Sequence, residues 1–380
     1  MTDDARRPSS TTRHDDLNAQ AAAEVRGLVQ EYYGKTLARS EDLKTNACTT
    51  GAAPSARLGR LLDKLHEETR ARYFGCGLVA PEGIEGARVL DLGCGAGRDV
   101  YLLAQMVGPD GFVTGVDMTA EQLEAAAAVK DWHMARFGYA RPNVAFRQGY
   151  LEHLEDLPIA PGTIDVAISN CVINLVADKG ACLRGLRRLM APGGEFYFAD
   201  VYADRPAPEA ARRDPTLYGE CLSGALEWGA FTRLASESGF AAPRLVSAAP
   251  IAPKDPALAE KLGGARFVSA TCRLFAAEVG ADARAETWSA RYRGGVEGAE
   301  ARLALDHAHA FERGVPTLVD GETASVLAQS RFAPFFDFAP GDEAARSAID
   351  EAAQAGRPTA RSPFELLDAE APQAASGCCG

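Results

Sequence analysis

The sequence predicts an α/β protein with a doubly wound, mostly parallel, Rossmann-like sheet, an N-terminal helical arm and a smaller α+β domain towards the C-terminus. Two observations predict this fold. Between residues 87 and 202, short apolar runs alternate with amphipathic stretches at the spacing of βαβ units, and the first run ends in a glycine-rich turn. The 380 residues also provide enough chain for two or three domains.

Two helical patterns precede the sheet. The first covers residues 17–37, after a polar, charged start over 1–16. The second begins after Ser55, a predicted N-cap, and continues to Tyr73, with leucines at the helical positions 58, 61, 62 and 65. These patterns predict a helical arm before the first strand.

Five buried strands are predicted, over residues 87–93, 112–118, 143–149, 163–170 and 194–202. Helices are expected between them over 98–108, 120–138 and 181–190, the second beginning with a capping box formed by Thr119 and Gln122. Beyond residue 250 the alternation fades, and 266–278 and 301–311 are expected to be strands of the smaller unit. The predicted divisions are 1–54 (arm and Cys48 loop), 55–248 (main domain), 249–340 (C-terminal domain) and 341–380 (flexible tail).

Composition excludes several classes of protein. There are 40 Lys and Arg residues against 52 Asp and Glu residues, a net charge of −12, so a nucleic-acid backbone is not an expected partner. No apolar run approaches the roughly 18 residues of a membrane span, and the first twenty residues contain no apolar signal core. We therefore expect a cytoplasmic protein without a membrane partner.

The nine cysteines do not suit a structural disulfide framework, because their number is odd and their density is low. Thiols available for chemistry or for a soft metal are the alternative, although several cysteines are expected simply to fill the core. Zinc is disfavoured, because neither a C-x-x-C pair nor a histidine cluster is present; His307 and His309 are expected to share one face of a strand. The cysteines are at positions 48, 76, 94, 171, 182, 221, 272, 378 and 379.

The glycine-rich turn after the first strand reads DLGCGAGRD, over residues 91–99. Its G-x-G-x-G spacing differs from the G-x-G-x-x-G of dinucleotide-binding turns, and Asp91 would repel a pyrophosphate. An acid is acceptable if the ligand carries an ammonium group and a sulfonium cation. Asp117, at the end of the second strand, suits ribose hydroxyls. A glycine turn that only packs a helix onto the sheet is the alternative interpretation.

This pattern resembles that of class I S-adenosylmethionine-dependent methyltransferases. The resemblance implies a methyltransferase sheet and S-adenosylmethionine as the donor, with GYLEHL (149–154) edging the adenine and Asn170 lying under the methionine portion. The cofactor-binding residues that it implies are Tyr73, Asp91, Gly93, Cys94, Gly95, Gly97, Asp117, Met118, Gly149, Leu151, Glu152 and Asn170.

Four cysteines lie in segments where a substrate site is expected. Cys171 follows the fourth strand and Cys221 the fifth, both on the carboxyl side of the sheet where ligands of such folds bind. Cys76 lies just before the sheet, and Cys48 is on the loop before the second helical pattern. Cysteines dispersed in this way are able to converge on a soft, pyramidal ion.

The segments around these cysteines, YFGCG, SNCVINL, GECL and KTNACT, resemble the four cysteine regions of arsenite methyltransferases. The similarity extends through EKLGGARFVSATCRLF and VDGETASVLAQSRFAPFF and thus covers residues 20–340. It implies that Cys76, Cys171 and Cys221 bind trivalent arsenic and that Cys48 is a redox partner, paired with Cys76. The terminal Cys378 and Cys379 resemble a pair that assists metalloid capture in many bacterial members.

The function implied is methylation of thiolate-bound arsenic(III). Its lone pair attacks the sulfonium methyl group, and thiols return the product to the trivalent state. Arsenite, its thiol conjugates and trivalent methylarsenicals are the expected substrates, with glutathione or thioredoxin as reductant, no structural metal and a monomeric enzyme. Ile173 replaces an extra cysteine of some members, whereas Cys94, Cys182 and Cys272 are expected to serve packing. A methyltransferase of a small organic molecule and a non-catalytic metalloid-binding protein are the alternatives.

Overall fold

The structure is a computed structural model, and it describes residues 26–27, 29–30, 54–73, 75, 77–212, 214–253, 255–341 and 362–370. Thirteen strands lie within this part of the chain, numbered β1 to β13 in order. They are Arg88–Leu92, Phe112–Asp117, Val144–Gln148, Ile164–Asn170, Met190–Ala203, Leu226–Glu227, Arg244–Ile251, Phe267–Phe275, Thr287–Tyr292, Arg302–Ala304, Ala310–Glu312, Pro316–Asp320 and Phe336–Pro340.

The described helices are numbered α1 to α12 in the same way. They are Ala56–Leu62, Glu67–Ala71, Arg98–Val107, Ala120–Ala128, Lys130–Phe137, Lys179–Leu189, Glu209–Arg212, Pro215–Gly219, Trp228–Glu237, Pro256–Lys261, Gly321–Gln329 and Pro363–Glu370. Residues 26, 27, 29 and 30 are also helical. No helix in the described ranges is both long enough and apolar enough to cross a membrane.

The central sheet has the order β3-β2-β1-β4-β5-β8-β7, with β6 paired to β5. Strands β1 to β5 pair in parallel, whereas β8 is antiparallel to both β5 and β7. Both faces of the sheet are covered: Val89 packs in the cluster of α3, and its neighbour Leu90 packs in the cluster of α6. The predicted doubly wound, mostly parallel fold is therefore confirmed.

The strand predicted over 266–278 forms as β8, but it belongs to the central sheet and not to the smaller unit. An antiparallel strand needs no helical crossover, so the sheet continues past the point where the βα alternation in the sequence fades. The smaller unit contains a three-stranded antiparallel sheet, β12-β9-β13, and the hairpin β10-β11, with a core of its own around Tyr292 and Phe311.

The predicted strand over 301–311 was wrong in its length. It is divided into β10 and β11, and His307 and His309 lie in the connection between these strands and not on one strand face. His309 Nδ1 is 2.8 Å from Asp306 Oδ1, and His307 Nδ1 is 2.9 Å from the carbonyl oxygen of Leu245. The two imidazoles therefore hold the turn in place.

Several helix predictions needed smaller corrections. Ser55 caps α1 as expected, but the helix to Tyr73 is two short helices, α1 and α2. The helix over 120–138 is likewise divided at Val129, and Thr119, its N-cap, makes no side-chain cap hydrogen bond. The tail expected to be flexible contains α12, whose Phe364 is buried against the central sheet.

Candidate functional site

A cleft lies at the carboxyl ends of β1, β2 and β4, where strand order places ligands in open α/β sheets. Eleven of the twelve residues predicted to bind a cofactor line this cleft. They are Tyr73, Asp91, Gly93, Cys94, Gly95, Asp117, Met118, Gly149, Leu151, Glu152 and Asn170.

Gly97 is the predicted residue that does not line the cleft. It has φ +81° at the start of α3, and a Cβ there would lie 3.0 Å from Phe146 and 3.1 Å from Ala126. This glycine therefore permits a close packing of helix on sheet. A side chain at this position would be too close to both neighbours.

Three carboxylates converge on one part of the cleft. Asp91 is buried, and its Oδ2 atom has no hydrogen-bond partner among the described residues. Burial, followed by the negative charges of Asp99 and Asp117, raises the pKa of Asp91 well above its ordinary value. An orphaned acid among other acids is suited to a cationic ligand, so this part of the cleft fits the ammonium group of S-adenosylmethionine.

Asp117 takes part in holding the glycine turn. Its Oδ2 accepts a hydrogen bond from Gly95 N at 2.8 Å, and its Oδ1 accepts one from Thr119 N at 2.8 Å. A carboxylate offers further lone pairs after these two bonds. Burial raises the pKa of Asp117, whereas these backbone donors lower it.

Asn170 ties the segment before the sheet to the end of β4. Its Nδ2 lies 2.9 Å from the hydroxyl of Tyr73, 2.9 Å from the carbonyl oxygen of Gly77 and 3.0 Å from Asp99 Oδ2. A Cβ on Gly75 would be 2.5 Å from Asn170 Cγ. The residues on either side of position 76 are therefore fixed next to the residue that precedes Cys171.

Cys171 and Cys221 come together beside the cleft, although 50 positions separate them. Both are buried, and the Cys221 thiol donates a hydrogen bond to the carbonyl oxygen of Cys171 at 3.0 Å. Their φ angles are +59° and +64°, and no other non-glycine residue in the described ranges has a positive φ. Such strained backbone is characteristic of functional positions.

Cys171 is disulfide-bonded, whereas Cys94, Cys182, Cys221 and Cys272 are not. Cys171 also lines the cleft. Cys182 and Cys272 are fully buried away from the cleft, which confirms the prediction that they serve packing.

A carboxylate oxygen of Asp200 lies close to the two sulfur atoms. The three potential ligand atoms, from Cys171, Asp200 and Cys221, all lie within 4.8 Å of one another. Burial raises the pKa of Asp200 to about 6, while hydrogen bonds from backbone amides and the charge of Lys179 oppose that rise. The two sulfurs are suited to a soft ion, whereas a carboxylate oxygen is a ligand for harder ions.

Sequence reasoning missed Asp99, Arg98, Val172 and Asp200. Arg98 stacks over the Tyr73 ring at 3.5 Å and forms an ion pair with Asp99. Asp200 interrupts the apolar residues of the fifth predicted strand, and an acid in such a run is a signal for a site. Cys48, Cys76, Cys378 and Cys379 lie outside the described residues.

Val172 connects the two halves of the site. A Cβ on Gly93 would lie 2.5 Å from a methyl carbon of Val172, so the residue after Cys171 packs directly on the glycine turn of the donor pocket. The distance between the sulfur site and the donor pocket is therefore set by a direct packing contact.

Two family models match the chain: a methyltransferase domain over residues 84–239 and an arsenite methyltransferase C-terminal domain over residues 285–380. An arsenite methyltransferase of Aquipseudomonas alcaligenes is 50% identical, over 92% of this chain and 99% of the relative. The mouse enzyme of the same description is 43% identical, over 94% of this chain and 97% of its own length.

The solved structures include a close counterpart. The crystal structure of an arsenic(III) S-adenosylmethionine methyltransferase from Chlamydomonas reinhardtii superposes with a TM-score of 0.71 at 43% identity. The match covers 77% of this chain and 98% of that chain.

Proposed function

This chain belongs to the arsenite methyltransferase family. We propose that the cleft, as a donor pocket, binds the methyl donor, and that the cysteines beside it form a sulfur site that binds the trivalent arsenic to be methylated. The single observation that carries the proposal is the position of Cys171. It lines the donor cleft and at the same time lies within 4.8 Å of Cys221 Sγ. A substrate held by these sulfurs is therefore adjacent to the methyl donor.

The donor pocket orients a cation. When bound, S-adenosylmethionine supplies a methyl group on a sulfonium sulfur, and the acidic wall formed by Asp91, Asp99 and Asp117 faces the positive groups of that ligand. We assign the ammonium contact to Asp91 Oδ2, because this buried oxygen has no hydrogen-bond partner among the described residues. Asp117 is assigned to the ribose hydroxyls, and Leu151 and Glu152 to the adenine edge.

The sulfur site binds the arsenic. Cys171 and Cys221 supply two thiolates, and Cys76, on the evidence of the family resemblance, supplies the third. Arsenic bound to three thiolates keeps its lone pair on the open pyramidal face. That pair forms the As–C bond while the C–S bond breaks and its electrons remain on the sulfur of the donor. No general base is needed, so the protein contributes alignment.

Each transfer leaves arsenic formally pentavalent, and two thiols must be oxidised to a disulfide to return it to the trivalent state. The disulfide at Cys171 supports the assignment of redox chemistry to this site. It must be opened before Cys171 is able to bind arsenic, for which we propose thioredoxin or glutathione as the reductant. The Cys48–Cys76 pairing and metalloid capture by Cys378 and Cys379 remain part of this proposal, as does a monomeric state.

The deciding experiment combines arsenite, labelled S-adenosylmethionine, thiol and the protein, followed by speciation of the arsenic. We expect Cys171→Ser and Cys221→Ser to lose about 100-fold or more of single-turnover methylation, a change of roughly 2.7 kcal/mol in the barrier. Cys182→Ser is the matched control, because it also removes a buried thiol, but away from the cleft.

The two alternatives give different results in the same experiment. A methyltransferase of an organic substrate would keep its turnover in both site variants. A metalloid-binding protein without catalysis would bind arsenite but form no methylated arsenical and bind no S-adenosylmethionine. Absence of methylated arsenic in a single-turnover reaction of the parent protein would contradict the proposal.

A further inference from the structure

Asn174 is a buried residue that lies three positions after Cys171, in the short 3-10 helix Ile173–Leu175. Both of its nitrogen atoms donate to one carboxylate: Nδ2 lies 2.7 Å from Asp200 Oδ1, and the backbone N lies 3.1 Å from Asp200 Oδ2. The loop that carries Cys171 is therefore attached to strand β5 by two hydrogen bonds to a single side chain.

Asp200 is itself held in one orientation. It is buried on β5, and its Oδ1 also accepts a hydrogen bond from Val201 N at 2.8 Å. In this orientation one carboxylate oxygen lies within 4.8 Å of both the Cys171 and the Cys221 sulfur atoms. A carboxylate held in one orientation thus lies close to both thiols.

The loop that carries Cys221 reaches the same residue from the other side. Gly224 packs so closely against the carbonyl oxygen of Asn174 that a Cβ at position 224 would collide with it. Asn174 therefore touches Asp200 through its side chain and the Cys221 loop through its backbone. The two cysteine loops and β5 meet at this one asparagine.

Both cysteines adopt the left-handed backbone that side-chain-bearing residues avoid, and such a conformation persists only where the surroundings enforce it. We propose that Asn174 and Asp200 are positioning residues that set the spacing of the Cys171 and Cys221 thiols for arsenic. They act through the loops and do not bind arsenic themselves. This inference rests on the proposed function, in which the two thiols are arsenic ligands.

The test compares Asn174→Ala with Asn143→Ala in the reduced full-length protein. Asn143 is a matched control, because it is also buried and donates two 2.9 Å hydrogen bonds to carbonyl oxygens, but next to β3 and away from the cysteines. Equilibrium dialysis measures arsenite binding, and calorimetry measures S-adenosylmethionine binding. We expect Asn174→Ala to weaken arsenite binding by about ten-fold or more and S-adenosylmethionine binding by less than about two-fold.

A parallel loss of both ligands, or the same loss in Asn143→Ala, would reduce Asn174 to a general stability role and overturn the inference. Unchanged arsenite affinity would overturn it as well. If Asn174→Ala fails to fold, Gly224→Ala tests the inference instead, because its added Cβ disturbs the contact between the Cys221 loop and the carbonyl oxygen of Asn174. We expect this variant too to lose arsenite affinity and to keep its affinity for S-adenosylmethionine. If the parent protein binds no arsenite, the proposed function fails, which is a different outcome.

Discussion

At the scale of single residues, the pKa of the buried Asp91 is expected to make binding of a cationic ligand depend on pH. Burial, followed by two neighbouring acids, raises its pKa well above the ordinary value. A bound ammonium group favours the ionised form. Under the proposed assignment, binding of the donor is coupled to release of a proton from Asp91, and we expect the affinity for the donor to increase with pH up to the raised pKa.

Asp91→Asn is expected to weaken S-adenosylmethionine binding by about 10- to 100-fold, because a hydrogen bond between two charged groups is lost. It should also abolish the proton release, which titration calorimetry detects in two buffers of different ionisation enthalpy. Asp110→Asn, on an exposed turn near the amino end of β2, is the control. Proton release that persists in Asp91→Asn would assign the coupling to another group.

The cysteine site shows which positions could be predicted from the sequence and which could not. The position of Cys171 after a parallel strand predicted its place at the cleft, since carboxyl ends of such strands share one edge. Its approach to Cys221 was implied only by the family resemblance, because 50 residues of chain lie between the two thiols. Asp200 belongs to no recognised motif, and only the fold brings it within 4.8 Å of both sulfurs.

At the scale of elements, α5 is held by a neutral imidazole. His133 is fully buried, its Nδ1 lies 2.9 Å from the carbonyl oxygen of Val129, and its Nε2 accepts a hydrogen bond from His66 N at 3.0 Å. Its ring stacks on Tyr101 of α3 at 3.7 Å. Burial lowers the pKa of His133 to about 4, so the residue joins α3, α5 and the start of α2 as an uncharged acceptor.

A lowered folded pKa means that the unfolded chain binds the proton more tightly between about pH 4 and the ordinary value of about 6.5. Stability from this site is complete above that window and is lost as the pH falls through it. We expect His133→Gln to flatten the fall in melting temperature over this range, compared with the parent. His153→Gln, with its side chain half exposed, should leave the slope unchanged. Equal slopes in parent and His133→Gln would refute this assignment.

The elements themselves were predicted unevenly. Strands β1 to β5 were predicted because fully buried parallel strands appear as continuous apolar runs. The breaks in the helices at Leu62 and at Val129 were not, since the apolar periodicity continues across both. The strand β8 was found but assigned to the wrong unit, because pairing partners leave no local signal.

At the scale of the whole molecule, a buried ionic cluster joins the central sheet to the C-terminal unit. Glu195 on β5 is fully buried and pairs with Arg273 on β8 and with Arg331, which follows α11. Arg331 also donates to the carbonyl oxygen of Glu82 at 3.0 and 2.9 Å. Although burial opposes the charge of Arg273, Glu195 and Glu82 raise its pKa, so the guanidinium stays charged.

Removing the central acid should leave Arg273 buried without its main counter-charge. We expect Glu195→Gln to lower the free energy of unfolding by about 3–5 kcal/mol, measured by chemical denaturation. Asp337→Asn, which breaks the exposed pair with Arg291, should cost less than about 1 kcal/mol. If Glu195→Gln lowers the free energy of unfolding only slightly, the two units are held together mainly by apolar packing.

The resemblance to methyltransferases implied eleven of the residues that line the cleft. The amino-acid pattern alone predicted the sheet type and the edge of the sheet at which the cleft lies. These properties follow from local periodicity and from the fixed relation between parallel strands and their loops. The tertiary structure decided the rest: the placement of β8, the packing of Val172 on Gly93, and the meeting of Cys171, Asp200 and Cys221. Contacts between distant positions depend on how whole elements pack, and no local pattern records them.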